Sequence, residues 1–338
     1  MTLIERALDL RDATYLTSGL AYYMLCGDTP ERAYQSMVRL FCRTRGRSND
    51  LVSRAVSALR PPKSLPCHDG VLGTLTDEHR MAIRDALDRD GFYVFDQLLP
   101  ASVCDRLLAL ASSVPSVAQN AAPDGGDTNI VYDRAAPRAV RYELRPDDLL
   151  ADAAVQELVA DWSILTVAQD YLRAAPIFDI VTMWWHTAFR DHPDARAAQF
   201  YHFDMDRPRW LKFFFYLTDV GPDNGPHRFI RGSHRTDGIA RELLARGYAR
   251  IDDADVARHY SASEHVCFIG HRGTIIAEDT RGLHKGQHVF RGDRLVFQLE
   301  LTNTLFGGRL ARMRLPTDPA TPLRERIQRY PRTYSAFV

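Results

Sequence analysis

The sequence predicts an α+β chain whose C-terminal half is a β-sandwich or barrel. Helix-capping and helix-period signals fill the first sixty residues and recur as far as Leu172. Short β-rich runs separated by turn signals then take over. The 338 residues, 45% hydrophobic and 25% charged, supply one large core or two modest ones.

T-L-I-E at Thr2 to Glu5 is a capping box, and D-T-P-E at Asp28 to Glu31 offers a cap with Pro30 at the first helical position. A third helix is expected after Ser48 to Asp50, stopped by Pro61 and Pro62, and P-P-K-S-L-P-C-H-D-G reads as a linker. The expected organisation is therefore a helical N-terminal segment over 1–65 and a main body over 66–338. The segment is expected to pack on that body or to form a homodimer contact. Arg39, Arg43, Arg45 and Arg47 gather near the end of the second helix; they read as a solvated basic face in preference to a site for an acidic carrier or a phosphate.

T-D-E-H-R-M-A-I-R-D-A-L-D-R-D-G predicts an amphipathic helix ending at Gly91, and F-Y-V-F after it has strand composition. L-L-P-A-S-V-C-D-R-L-L-A-L-A begins another helix. Asn120 to Asn129 is a glycine- and aspartate-rich loop of the kind that serves as a lid. Asp152 to Leu172 reads as one further helix. Strands are then expected at D-I-V-T-M-W-W-H, F-Y-H-F-D, L-K-F-F-F-Y-L-T, H-R-F-I, G-T-I-I-A-E and R-L-V-F-Q-L-E-L-T, with G-P-D-N-G-P and R-G-D-R as turns.

Composition narrows the function. Forty-three basic residues balance forty-three acidic ones, so no overall field recruits nucleic acid or an anionic membrane. Cys26, Cys42, Cys67, Cys104 and Cys267 are scattered with no C-x-x-C pair, which argues against a disulfide framework and a structural zinc site and for a reducing cytoplasm. Leu20 to Leu25, the most apolar run near the N-terminus, is too short to span a bilayer.

The chemistry starts at Y-H-F-D. In a strand His202 and Asp204 project to one face, Tyr201 and Phe203 to the other. A buried aspartate needs a partner or a metal to offset its desolvation. The best third ligand is His284 in E-D-T-R-G-L-H-K-G, because two histidines and a carboxylate form the facial triad of non-haem iron oxygenases. In R-G-D-R-L-V-F-Q-L-E, Arg294, Val296 and Gln298 share a face, and an inward Arg294 offers a fork to a carboxylate.

The succession H-F-D, L-K-F-F-F-Y-L-T-D-V, D-N-G-P, R-G-S-H, D-T-R-G-L-H-K-G and G-D-R-L-V-F-Q-L-E resembles the phytanoyl-CoA dioxygenase-like family of Fe(II)- and 2-oxoglutarate-dependent oxygenases. The resemblance runs from about Leu75 to Phe306 and includes the D-G-F-Y-V-F and L-L-P opening. It implies a double-stranded β-helix, a cupin-like jelly roll with flanking helices. It also implies iron held by His202, Asp204 and His284, with 2-oxoglutarate and O2 as cosubstrates and Arg294 binding the former. No catalytic side chain is implied beyond the metal centre. Some relatives carry serine or threonine where Gly286 stands, so that contact is missing here. Related halogenases lack the acid, so the presence of Asp204 favours hydroxylation or another oxidative outcome over halogenation; the expected activity is oxidation, foremost hydroxylation, of an unactivated C–H bond of a small organic metabolite, with release of succinate and CO2. A metal-dependent hydrolase and a non-catalytic jelly-roll binder are the alternatives; the first does not require an arginine placed for a dicarboxylate, and the second would neither bind iron nor consume 2-oxoglutarate.

Among the remaining polar residues, His288 is a rival ligand only if H-K-G-Q-H were helical. His227 and His234 are expected to satisfy backbone groups or meet solvent, and Asp206 to stand behind the ligands. Trp184, Trp185 and Lys212 are candidates for the pocket wall, with core as the ordinary reading of the tryptophans.

Overall fold

A computed structural model describes residues 3–121, 129–247 and 249–338. Thr2 of the expected capping box and nearly all of the expected lid loop lie outside the described residues. Helices α1 (Leu3–Cys26), α2 (Glu31–Thr44) and α3 (Arg47–Leu59) open the chain. Leu16, Ala33, Met37, Leu40, Val52 and Phe306 close a small core between them. Gly19 lets α1 and α2 touch, since a Cβ there would stand 2.2 Å from that of Ala33. Arg39 and Arg43 keep part of their side chains in solvent, and both also pair with the buried Asp12, Arg39 Nη2 lying 2.7 Å from its Oδ1. Two boundaries differ from expectation. Pro30 caps α2 from outside it, with Thr29 Oγ1 committed to accepting from the Gly307 amide at 3.1 Å. Gly46, with φ 84°, turns the chain so that α3 already begins at Arg47.

α4 (Asp77–Asp90) starts where Thr76 accepts from the His79 amide and ends at Gly91, with φ 89°. Strand β1 (Phe92–Val94) and α5 (Ala101–Ser113) follow as expected, then β2 (Ser116–Ala121), β3 (Asn129–Ile130), β4 (Ala139–Leu144) and α6 (Pro146–Leu150). The single helix expected over Asp152 to Leu172 is two, α7 (Ala153–Val159) and α8 (Trp162–Leu172). Asp161 makes the break: its carboxylate accepts from the Ile164 amide at 3.1 Å and from Val71 at 3.0 Å, capping a new helix and tying it to the linker.

The rest is β5 (Ile177–Thr187), β6 (Trp210–Tyr216), β7 (His227–Ile230), α9 (Arg241–Leu244), α10 (Asp253–Ala257), β8 (His265–Phe268), β9 (Ile275–Glu278), β10 (His284–Gly286), β11 (Asp293–Thr302) and α11 (Thr321–Arg329). Eight strands form an antiparallel sheet in the order β1-β9-β6-β11-β5-β4-β2-β3, and β10-β7-β8 form a second. This is the jelly roll with flanking helices. One face of the large sheet packs on helices: Phe178, Trp185, Phe213, Phe215, Phe297 and Leu299 share a core with Leu87, Leu107, Leu158 and Tyr171. The alternate residues point the other way, into the barrel.

F-Y-H-F-D is not a strand. Only isolated bridges, Tyr201 to Ile251 and His202 to His284, remain of it. Its two-sidedness survives: Tyr201, Phe203 and Met205 share a core with Phe41 of α2 and with Leu243 and Leu283, while His202 and Asp204 face the cavity. No helix among the described residues is long and apolar enough to cross a membrane, and all five cysteines are free thiols.

Candidate metal centre

His202, Asp204 and His284 come together although 82 positions span them in sequence, and their donor atoms lie within 4.8 Å of one another. Main chain sets the two histidines. The His202 amide donates to His284 O at 3.0 Å, and the His284 amide donates to His202 O at 3.1 Å. Each ring then donates Nδ1–H to the carbonyl two residues earlier, Phe200 O for His202 and Gly282 O for His284, both at 2.9 Å. That commitment fixes the tautomer and turns each Nε2 lone pair inward. His202 Nε2 lies 3.7 Å from Asp204 Oδ1, and His284 Nε2 lies 3.5 Å from Oδ2. Burial pushes both imidazoles below their usual range, His284 to about 4, so they are neutral and available to a cation at neutral pH.

Lys212 completes the cluster. Its Nζ donates to Asp204 Oδ2 at 2.7 Å and lies 3.3 Å from Glu300 Oε2. Register explains the placement: Lys212 of β6 stands opposite Glu278 of β9 on one side and Glu300 of β11 on the other, all on the inward face. Burial alone would raise the Asp204 carboxyl; the Lys212 ammonium and the two imidazoles outweigh it and hold the acid well below the usual carboxylate range. Asp206 is half-buried two residues beyond Asp204, with Tyr34 Oη 3.5 Å from its Oδ1.

These donors open into a cavity of about 350 Å³ walled by β4, β5, β6, β11 and the small sheet. Arg294 lines it as expected and is only 2% exposed. Its Nη1 donates to Gly225 O and its Nη2 to His186 Nδ1, the latter at 2.9 Å, and no carboxylate among the described residues pairs with it. Its Nε is buried without a partner. His186 Nδ1 accepts from a guanidinium, so its Nε2 carries the proton, and this donor too is buried and unpartnered. Gly286 makes room for the pair: a Cβ there would stand 3.2 Å from Arg294 Nη2 and 3.6 Å from His186 Cε1. A larger hollow of about 550 Å³ between α1, α2 and α9 holds no such donor set.

Other expectations divide. Trp184 and Lys212 line the cavity, but Trp185 faces the helices and donates its indole N–H to Ala111 O at 3.3 Å. His234 donates Nε2–H to Asp88 O at 3.2 Å, as expected of a structural histidine. His227 is neither at solvent nor on a backbone group: its Nε2 meets Glu278 Oε1 at 2.9 Å and its ring lines the cavity. His288 lies apart, its Nδ1 3.3 Å from Gln199 Oε1. His186 and Arg141 escaped the sequence reading. The alternation of Thr182, Trp184 and His186 was a usable signal for the first; Arg141 carried none, because β4 was not recognised as a strand.

The residues present fit a divalent cation with open coordination positions and a dicarboxylate beside it: two neutral imidazoles and a carboxylate on one side, orphaned buried N–H donors and an uncompensated arginine on the other.

Comparison with known proteins agrees. The phytanoyl-CoA dioxygenase (PhyH) family profile matches residues 87–288, more than half of the chain. The ectoine dioxygenase of Sphingopyxis alaskensis is 26% identical over 218 residues, covering 59% of this chain and 67% of that one. Among solved structures, HygX from Streptomyces hygroscopicus, with nickel and 2-oxoglutarate bound, is 17% identical with a TM-score of 0.48, covering 74% of this chain and 94% of that chain. EctD from S. alaskensis with bound Fe is 18% identical with a TM-score of 0.43, covering 78% and 89%. The chain belongs to the phytanoyl-CoA dioxygenase family and is a non-haem iron dioxygenase that uses 2-oxoglutarate and O2.

Proposed function

We propose that His202, Asp204 and His284 hold Fe(II), that Arg294 with His186 binds the far carboxylate of 2-oxoglutarate, and that the enzyme hydroxylates an unactivated C–H bond of a small organic metabolite. The observation that carries this reading is the three-donor set opening into the same cavity as a buried arginine that no carboxylate pairs. When bound, the iron and its cosubstrate supply the oxidising power, coupling decarboxylation of 2-oxoglutarate to oxygen transfer and releasing succinate and CO2.

The chain's own part is placement. His202 and His284 present Nε2 because Nδ1 is spoken for. Lys212 donates to Asp204 Oδ2 and steadies the carboxylate that would hold the cation. Arg294 and His186 offer N–H groups to a carboxylate in a site that Trp184, Phe214 and Val296 keep dry. Residues 1–65 serve as a helical segment that backs the metal loops of a 66–338 oxygenase domain. Phe41 packs behind Tyr201 and Phe203, and Asp50 Oδ1 accepts from Arg281 Nη1 at 2.9 Å, three residues before His284.

The test is a metabolite panel incubated with enzyme, Fe(II), 2-oxoglutarate and O2. Succinate release stimulated by a panel member, with a product one oxygen atom heavier, is expected. A product lighter by two hydrogens would replace hydroxylation by desaturation or ring closure, and turnover indifferent to 2-oxoglutarate would remove the whole assignment.

A further inference from the structure

A second hollow, of about 480 Å³, lies at the seam between the N-terminal helices and the oxygenase domain. Leu20, Tyr23 and Met24 of α1 and Val56 and Leu59 of α3 form one side of it, and Thr304 and Arg332 form the other. Among the described residues it shares no lining side chain with the metal cavity. Its size is ordinary for a small-molecule site, where about 300 to 1,000 Å³ is usual. Leu20, Tyr23 and Val56 rest on the small core of the helices and make an apolar floor. Met24 and Leu59 make an apolar rim, and they are 69% and 63% exposed although side chains of this kind gain from leaving water.

The polar part is two arginines with nothing to balance them. Arg60 follows the last residue of α3 and Arg332 lies three residues past α11. The described lining contains no aspartate or glutamate, and neither guanidinium makes an ion pair among the described residues. Arg332 Nη2 donates to Asn303 O at a long 3.4 Å, and its Nε is buried with no partner. Burial, and after it the charge of Arg60, push the Arg332 guanidinium below its usual range, so the two like charges stand close enough to oppose each other. A half-buried cation with an orphaned N–H is costly until an anion meets it.

We infer that this hollow binds an amphipathic anion, its carboxylate or phosphate head held by Arg60 and Arg332 and its apolar tail laid over Met24, Val56 and Leu59. The head relieves the repulsion between the guanidiniums and occupies Arg332 Nε. The tail covers the two exposed rim residues. Such a ligand touches α1, α3 and the oxygenase domain together, so it fastens the N-terminal helices to the body they pack on. Metal and 2-oxoglutarate are held elsewhere, so binding here is independent of the oxygenase chemistry.

The experiment is calorimetric titration of the full chain, kept anaerobic with Fe(II) and saturating 2-oxoglutarate so that a carboxylate probe cannot report on the metal cavity. Decanoate and decyl phosphate are the probes, used below the concentrations at which they form micelles. Decanol and acetate are the controls, keeping only the tail or only the head. At least one decyl anion binds with one molecule per chain and raises the unfolding temperature, and whichever does so tells carboxylate from phosphate. Both controls bind at least about tenfold more weakly, and Arg60→Gln and Arg332→Gln each weaken the anion by about tenfold. Met24→Gln weakens it as well; Arg60 and Met24 are exposed, so these two variants decide the matter should Arg332→Gln fail to fold. No binding of either anion, decanol as tight as the anion, several molecules per chain, or unchanged affinity in Arg60→Gln and Met24→Gln overturns the inference. So does attachment to phosphatidylglycerol vesicles without binding of the monomeric anions.

Discussion

His202 and His284 exchange backbone hydrogen bonds of 3.0 and 3.1 Å across an isolated bridge, and each ring donates Nδ1–H to the carbonyl two residues before it. The two imidazoles are thus a pair built by main chain, with ring centroids 4.2 Å apart. A cation placed there meets nitrogen lone pairs already aimed, and little ordering remains to be done on binding.

Lys212 is the first place to test this preorganisation. It holds Asp204 Oδ2 at 2.7 Å. Lys212→Met leaves the carboxylate free to rotate and its charge uncompensated. Fe(II) or Co(II) affinity, measured by anaerobic titration, is expected to fall by about 10- to 100-fold, the range for partners that orient metal ligands. Unchanged affinity would make the ammonium a bystander.

Phe41 of α2 is 1% exposed and shares a core with Tyr201, Phe203 and Met205, the reverse side of the His202 loop. Phe41→Ala is expected to cost about 3 to 5 kcal/mol in denaturant unfolding. Metal affinity should fall with it at temperatures where the variant is still folded. A stability loss with no change in metal affinity would show that α2 supports the fold without bracing the ligands.

His234 gives a pH test away from the metal. Burial pushes its imidazole down to about 4, against about 6.5 in an unfolded chain. Between those values the unfolded state binds the extra proton, so this group's contribution to stability is present above about pH 6.5 and is lost as pH falls toward 4. Unfolding free energy of the wild type should therefore rise with pH in this window more steeply than that of His234→Gln, by up to about 1.4 kcal/mol per pH unit. Parallel curves would contradict a neutral, buried His234.

Arg294 carries the cosubstrate assignment. Arg294→Leu removes the fork and should raise the 2-oxoglutarate requirement by at least roughly thirtyfold, equivalent to about 2 kcal/mol. Arg294→Lys keeps the charge, loses the planar geometry and should fall between. Fe(II) binding should persist in both. A Leu variant with an unchanged requirement would leave the arginine without this role.

Much of this was legible in the sequence where local periodicity is the physical cause. The two-sided reading of Y-H-F-D needed only the alternation of an extended chain, and it held although the segment makes isolated bridges instead of a strand. The shared face of Arg294, Val296 and Gln298 on β11 followed from the same rule, whereas the alternation along β5 went unused. What escaped depends on register between distant segments. Arg141 and Arg294 each stand opposite His186 because β4, β5 and β11 are neighbours, and nothing within any one strand announces that. The contact of Lys212 with Asp204, which lies outside any strand, is equally invisible within one segment. Helices α2 and α3 are amphipathic, which says that they need a partner surface, but not that the surface would be the back of the His202 loop. Asp161 split an apparently continuous helix because a cap competes locally with an apolar pattern, and pattern alone sees only the latter.

The central claim is that His202, Asp204 and His284 are the iron ligands of a 2-oxoglutarate-dependent enzyme. Its most direct test is anaerobic titration of Fe(II) and 2-oxoglutarate into the wild type and into His202→Ala, Asp204→Ala, His284→Ala and His288→Ala, reading the visible band of the metal and cosubstrate complex alongside bound iron. The wild type and His288→Ala should form the band with one iron per chain, and the three triad variants should not. A band that survives the loss of His284 but vanishes with His288, or one that no member of the triad affects, would contradict the account.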